Sequence, residues 1–334
     1  MQLANIPLSI LDRANARAGS SASDALSATV RRAQQAEQLG YQRFWVAEHH
    51  GVPGIAGSAP TVLMAAVAAQ TERIRVGSGG VMLPNHQPLV VAEQAATLQA
   101  LFPGRIDLGI GRSVGFTPAV RSALRQDKDA ADRFAEDLAE LLSYLGGTAA
   151  ITARPSDGGA TRPFVLATGQ GAQIAAKAGL AVVVGGPAFT GRKPELARIV
   201  LERYRKNFRP SAYYAVPYVI ASANVAVADS AEAARELLLP EAWAMAQSRT
   251  LGEFPPLEPV DSIRTLPMTP RQQDLVSETL AGAVHGTADQ VALRLGLLLE
   301  ATGADELMVT TNTFDTAALD DTDRRLAALF GLPR

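Results

Sequence analysis

The chain has 334 residues, no cysteine and nearly balanced charge, with 31 Lys and Arg against 33 Asp and Glu for a formal net charge of −2. Lack of cysteine rules out disulfides, thiolate nucleophiles, thiolate zinc sites and iron–sulfur clusters, and lack of a basic excess speaks against a nucleic-acid or anionic-membrane partner. No apolar run reaches the roughly 18 residues of a membrane span, and the first residues show no basic stretch followed by a cleavable apolar segment, so a soluble cytoplasmic protein is expected.

Short β-like runs alternate with longer helical patterns. Residues 3–11 read as a buried strand and 21–40 as a helix, with Ser23 or Asp24 able to cap it and Gly40 to end it. A strand at 41–50 precedes the very apolar helix 59–70. A strand at 73–83 precedes the helix 89–102, and a strand at 105–111 precedes the helix 128–145. Further pairs are 163–169 with 172–179, 180–186 with 194–208, and 214–228 with 230–248. After the Pro-rich, polar segment 249–286 come a helix at 287–302, a strand at 306–311 and a last helix at 320–330.

Eight strands each followed by a helix imply right-handed βαβ units and a parallel sheet. At this length a closed (β/α)8 TIM barrel spanning residues 1–334 as a single domain fits better than the alternative, an open doubly wound sheet. The segment 249–286 reads as an insertion loop or lid.

A barrel carries its active site at the C-terminal ends of its strands. Glu48, His49 and His50 end the second strand, His86 follows the third, Arg112 the fourth, Thr168, Gly169, Gln170 and Gly171 the fifth, and Gly185 and Gly186 the sixth. Three of the four histidines thus share one face. Glycines let backbone approach a flat or phosphorylated ligand. The helix opening at Gln170 offers free N–H groups to a phosphate, and Arg112 a permanent charge with forked donors. Gly109 and Gly111 serve equally well as a strand-to-loop turn, and their spacing is not a dinucleotide fingerprint. Adjacent strand residues point to opposite faces, so His49 and His50 do not readily share one metal ion, and no metal is expected. A histidine facing a flavin or substrate is the sharper reading, beside the plainer one of histidines that merely finish a strand.

The stretches FWVAEHHGVPGIAGSAP (44–60), RIRVGSGGVMLPNHQPLVVAEQAATLQALFPGRIDLGIGRS (73–113) and ATGADELMVTTN (301–312) resemble the bacterial-luciferase-like flavin monooxygenases, and the resemblance runs along nearly the whole chain. Residues 204–234 resemble a single-chain subgroup of bacterial oxidoreductases, some of which tailor polyketide antibiotics. The resemblance implies a (β/α)8 barrel that binds reduced FMN (FMNH2) at its C-terminal mouth, with O2 as co-substrate and a flavin C4a-(hydro)peroxide as oxidant. It places a non-proline cis peptide at Gly79–Gly80, the phosphate-binding arginine at Arg112, and the hydroxyl-bearing loop at Thr168–Gly169 with Gln170–Gly171 beyond it. That loop departs from the family, being one residue short and rich in glycine. The active-site histidine maps to His49, with Glu48 orienting it or a loop N–H, and His86 on the substrate side. A separate flavin reductase and a homodimer built on the helices 59–70 and 89–102 are also implied. A deazaflavin-dependent dehydrogenase, a flavin-binding protein without turnover and a metal hydrolase on the same barrel are the competing functions.

Overall fold

The structure, a computed structural model, describes residues 3–167, 170–185 and 194–333. Its strands are β1 (Leu8–Asp12), β2 (Arg43–Val46), β3 (Arg75–Ser78), β4 (Val81–Met82), β5 (Ile106–Gly111), β6 (Arg162–Ala167), β7 (Ala181–Gly185), β8 (Val219–Val227), β9 (Val284–Gly286) and β10 (Glu306–Thr310). The helices are α1 (Ala22–Gln38), α2 (Pro60–Ala69), α3 (Pro88–Leu101), α4 (Pro118–Ala123), α5 (Phe134–Leu145), α6 (Gln170–Ala178) and α7 (Pro194–Asn207), followed by α8 (Ala231–Leu237), α9 (Leu239–Leu251), α10 (Val260–Thr265), α11 (Pro270–Ala281), α12 (Ala288–Thr302) and α13 (Thr316–Leu329).

The strands run parallel in the order β1, β2, β3, β5, β6, β7, β8, and β10 pairs with both β8 and β1. That closes an eight-stranded (β/α)8 barrel; the open sheet is excluded. The third strand is interrupted at a cis Gly79–Gly80 peptide, the bond the resemblance indicates, and resumes as β4 against β5. The short β9 lies beside the end of β8.

Several boundaries differ from the sequence reading. Ser21, not Ser23, caps α1: its hydroxyl accepts from the Asp24 N–H while Asp24 accepts from the Ser21 backbone, a reciprocal box that neither residue makes alone. The first strand begins at Leu8 and the seventh at Val219. The helix expected at 230–248 is two helices, with Pro240 in the first turn of the second, where proline suits a helix start. The segment 249–286 is not an irregular lid. It carries α10, α11 and β9, and α11 opens with a capping box formed by Thr269 and Gln272. Ile263, Leu275, Val276 and Leu280 pack on Leu238, Ala242, Trp243 and Ala246 as a satellite core. Its Pro-rich start docks on the loops after β1 and β2, through Gly54 N–H to the Phe254 carbonyl and Leu257 N–H to the Ala16 carbonyl, both 2.9 Å.

Strand alternation sorts the barrel wall. Leu8, Ile10, Phe44 and Val46 point outward into the large core beneath the helices. Inward positions form layers. The floor is ionic: Arg43 donates to Asp107 at 3.0 Å and to Glu306, and Arg75 grips Asp107 with two bonds of 2.6 and 2.7 Å. Ser9 and Tyr218 hydroxyls donate to Glu306 at 2.7 and 2.8 Å. Above it Trp45 meets Phe164 edge-on, ring centres 5.2 Å apart, among Val183, Ile220 and Met308. Gly77 is required there, because a Cβ would collide with the Trp45 ring.

Two arginines and two carboxylates balance in the floor, and burial makes that balance obligatory. Burial opposes the charge on Arg43, yet Glu306 and Asp107 raise its pKa above the free value. Arg43→Ala leaves Glu306, which is fully buried, short of a counter-charge; a loss of about 3–5 kcal/mol is expected. Urea unfolding measures it, and a loss under about 1 kcal/mol, the worth of a surface pair, would show that the floor is solvated.

Candidate active site

The C-terminal ends of the strands enclose a cavity of about 700 Å³, within the usual range for a small-molecule site. Leu11, Leu166, Val183 and Met308 give it apolar walls, and Ser222 a hydroxyl. At one side lie Arg112 and Gly171 in the first turn of α6. Arg112 donates through Nε to the Ala131 carbonyl at 3.2 Å and stands 3.6 Å from the Asp132 carboxylate. These contacts hold the guanidinium at the cavity's edge. Gln170 opens α6 and is exposed, and Gly171 is buried. Thr168, Gly169 and Gly186 fall outside the described residues.

The glycines of the mouth serve packing as well as approach to a ligand. A Cβ on Gly109 would overlap the Ser78 carbonyl oxygen, and one on Gly111 the Met82 sulfur. On Gly80 it would stand 2.8 Å from the Gly109 carbonyl oxygen, and on Gly79 2.5 Å from Leu11 Cδ1. The β3–β5 seam therefore closes over side-chain-free backbone, and Gly79–Gly80 sit behind the cavity wall, not among the residues lining it.

The three histidines after β2 and β4 separate into two places. His49 anchors its backbone N–H on the Gly57 carbonyl at 2.9 Å and lays its ring parallel to Phe116, centres 6.1 Å apart and planes 12° apart. Its Nδ1 is buried without a partner. Burial first, then the charge of Arg13, push its pKa down to about 4, so the imidazole is neutral at pH 7. Glu48 does not bond His49. Its buried carboxylate instead accepts from His50 Nε2 at 2.8 Å, His86 Nε2 at 3.0 Å, the Met82 N–H at 2.9 Å and Asn85 Nδ2 at 3.3 Å. Burial pushes that carboxyl up, but the His86, Met82 and His50 contacts outweigh it and hold its pKa below the ordinary value. His86, expected on the substrate side, is thus bound to Glu48. Neither it nor His49 is among the cavity-lining residues, which include Arg112 and Gly171 of the expected set.

Residues missed by the sequence reading include Leu11, Met82, Ser222, Met308 and Phe116. Ser222 was within reach, since Ser222 and Asn224 alternate with alanine in the middle of β8 and so share the inner face. A second missed constellation joins Arg13 and Asn224 on the Glu241 carboxylate, the latter at 2.6 Å, with the Arg13 guanidinium 5.5 Å from the Phe254 ring centre. It ties α9 to the loop after β1.

A closed (β/α)8 barrel with its cavity at the C-terminal mouth, flanked by an arginine and a helix start, defines an enzyme of the ligand-binding barrel class. Residues 6–306 match the luciferase-like monooxygenase family, and the chain belongs to it; it is an oxidoreductase. A luciferase-like monooxygenase of Escherichia coli K12 is 38% identical over 321 residues, covering 94% of this chain and 93% of that one. The crystal structure of apo-MsnO8 superposes with a TM-score of 0.88 at 33% identity, covering 99% of this chain and 100% of that one. The oxygenating constituent of 3,6-diketocamphane monooxygenase from Pseudomonas putida, solved with FMN, shares the fold at a TM-score of 0.71 and 18% identity, with 97% of each chain covered. Among the described residues no helix is long and apolar enough to cross a membrane.

The seam is open to test. Gly109→Ala is expected to cost about 1–3 kcal/mol, because β5 must move away from Ser78 to admit the methyl group. An unchanged urea midpoint would mean that the glycine serves only a ligand.

Proposed function

We propose that the protein is a reduced-FMN- and O2-dependent monooxygenase acting on a small organic substrate. The observation that carries this is the cavity itself: apolar walls, with Arg112 and the first turn of α6 together at one side. That donor set suits a phosphate, while Leu11, Leu166, Val183 and Met308 suit a flat apolar ring system. The fold relative from Pseudomonas putida was solved with FMN, which supports the same choice here. When bound, reduced FMN supplies the electrons that activate O2 for transfer of one oxygen atom to the substrate.

The protein's own part is to bind, to orient and to keep water out. Arg112 and the α6 N–H groups hold the phosphate. The apolar wall keeps the ring dry. His49, neutral and stacked on Phe116, has a buried Nδ1 with no partner, a nitrogen that a shift of the loop after β2 would turn toward the mouth as a hydrogen-bonding group. A separate flavin reductase supplies FMNH2, and location in the cytoplasm agrees with that supply. α2 and α3 lie side by side and expose Val62, Val90 and Leu101, an apolar face suited to pairing two copies as a homodimer.

Two variants separate binding from turnover. Arg112→Ala is expected to weaken anaerobic binding of reduced FMN by about 1.5–3 kcal/mol, the usual worth of hydrogen bonds to a charged group. Unchanged affinity would remove Arg112 from the site. His49→Ala is expected to keep FMN binding and lose incorporation of labelled O2 into product. Full incorporation in that variant would make His49 a bystander.

A further inference from the structure

We propose that Glu48, His50 and His86 form a binding site for one divalent cation of the zinc type, separate from the flavin cavity. Glu48 Oε1, His50 Nε2 and His86 Nε2 lie within 4.8 Å of one another, with Oε1 at 2.8 and 3.0 Å from the two nitrogens. Two metal–ligand bonds of about 2.0–2.2 Å meeting at the tetrahedral angle separate their outer atoms by about 3.4 Å, so a small outward movement of the two imidazoles would admit an ion between the three atoms. The Glu48 side chain has no exposed surface, and among the described residues no Lys or Arg pairs with it. A buried carboxylate needs a cation, or N–H donors enough to replace one.

The surroundings complete the site. Met82 N–H holds the second carboxylate oxygen at 2.9 Å, the outer contact that fixes a metal-binding carboxylate. The Asn85 amide stands 3.3 Å from Oε1, and its own Oδ1 is buried with no partner. A half-turn of that amide exchanges oxygen for nitrogen and offers a fourth ligand. The His50 and His86 side chains keep 24% and 28% of their surface, which leaves an entry path and room for a water ligand. Two imidazoles with oxygen donors suit zinc and its neighbours better than magnesium or calcium. β2 ends at Val46, so strand alternation does not govern His49 and His50, and the fold brings His50 to His86, 36 residues on. Bound there, the ion pins the chain after β2 to the turn after β4. Without it, two Nε2–H groups fill the same space.

The test uses the full-length protein, freed of metal with a chelator and titrated with Zn2+ by calorimetry. One site per chain is expected. His50→Ala and His86→Ala are each expected to weaken it by more than the roughly 10–100-fold that an outer-contact change costs, and His285→Ala, on the remote β9, to leave it unchanged. Absence of binding, or binding that survives both substitutions, overturns the site. Co2+ added to the unmutated protein gives a reading that needs no variant to fold: a visible absorption band displaced by one equivalent of Zn2+ supports the site, and no band overturns it.

Discussion

Strand β10 hydrogen-bonds to β1 on one side and β8 on the other, and this double pairing turns eight parallel strands into a ring. In a ring every strand's C-terminal end faces the same way. That is why residues as far apart as Leu11, Arg112, Val183 and Met308 border one cavity. The closure also fixes which residues point inward, because register in a ring cannot slip without moving every side chain to the wrong face. The floor of Arg43, Arg75, Asp107 and Glu306 draws its members from β2, β3, β5 and β10, so its four charges meet only when the ring is shut.

Two kinds of packing then divide the barrel. Below, charge balance and the Trp45–Phe164 pair fill the interior and leave no room for a ligand. Above, Gly80, Gly109 and Gly111 remove side chains where β3, β4 and β5 converge. The same glycines that allow a tight seam leave the mouth walled by Leu11, Leu166, Val183 and Met308. The order of these layers, polar floor, aromatic middle and apolar mouth, follows from period-two alternation along each strand.

The barrel was legible because alternation of short apolar runs with helical patterns is a local signal repeated eight times. The helices in 249–286 were not, because prolines at 255, 256, 259, 267 and 270 read as breakers; Pro270 in fact starts a helix behind the Thr269 cap. The cis bond at Gly79–Gly80 came from the resemblance alone, since two adjacent glycines have no distinctive local signature. Arg112 was placed at the mouth by its position after a strand. The partners of Glu48 were hidden for the opposite reason: His86 and Met82 are 38 and 34 residues away, and only folding brings them to it. His49 and His50 do part, but not by strand alternation: β2 ends at Val46, both lie in the loop beyond it and not in the expected strand 41–50, and which one Glu48 holds depends on where the turn after β4 lies.

The proposed monooxygenase activity depends first on a flavin occupying the mouth cavity. A crystal structure of the protein soaked anaerobically with reduced FMN tests that directly. Flavin density is expected in the cavity bounded by Leu11, Val183 and Met308, with its phosphate at Arg112 and the first turn of α6. Density elsewhere, or a cavity that stays free of flavin in a protein that binds FMN in solution, would contradict it.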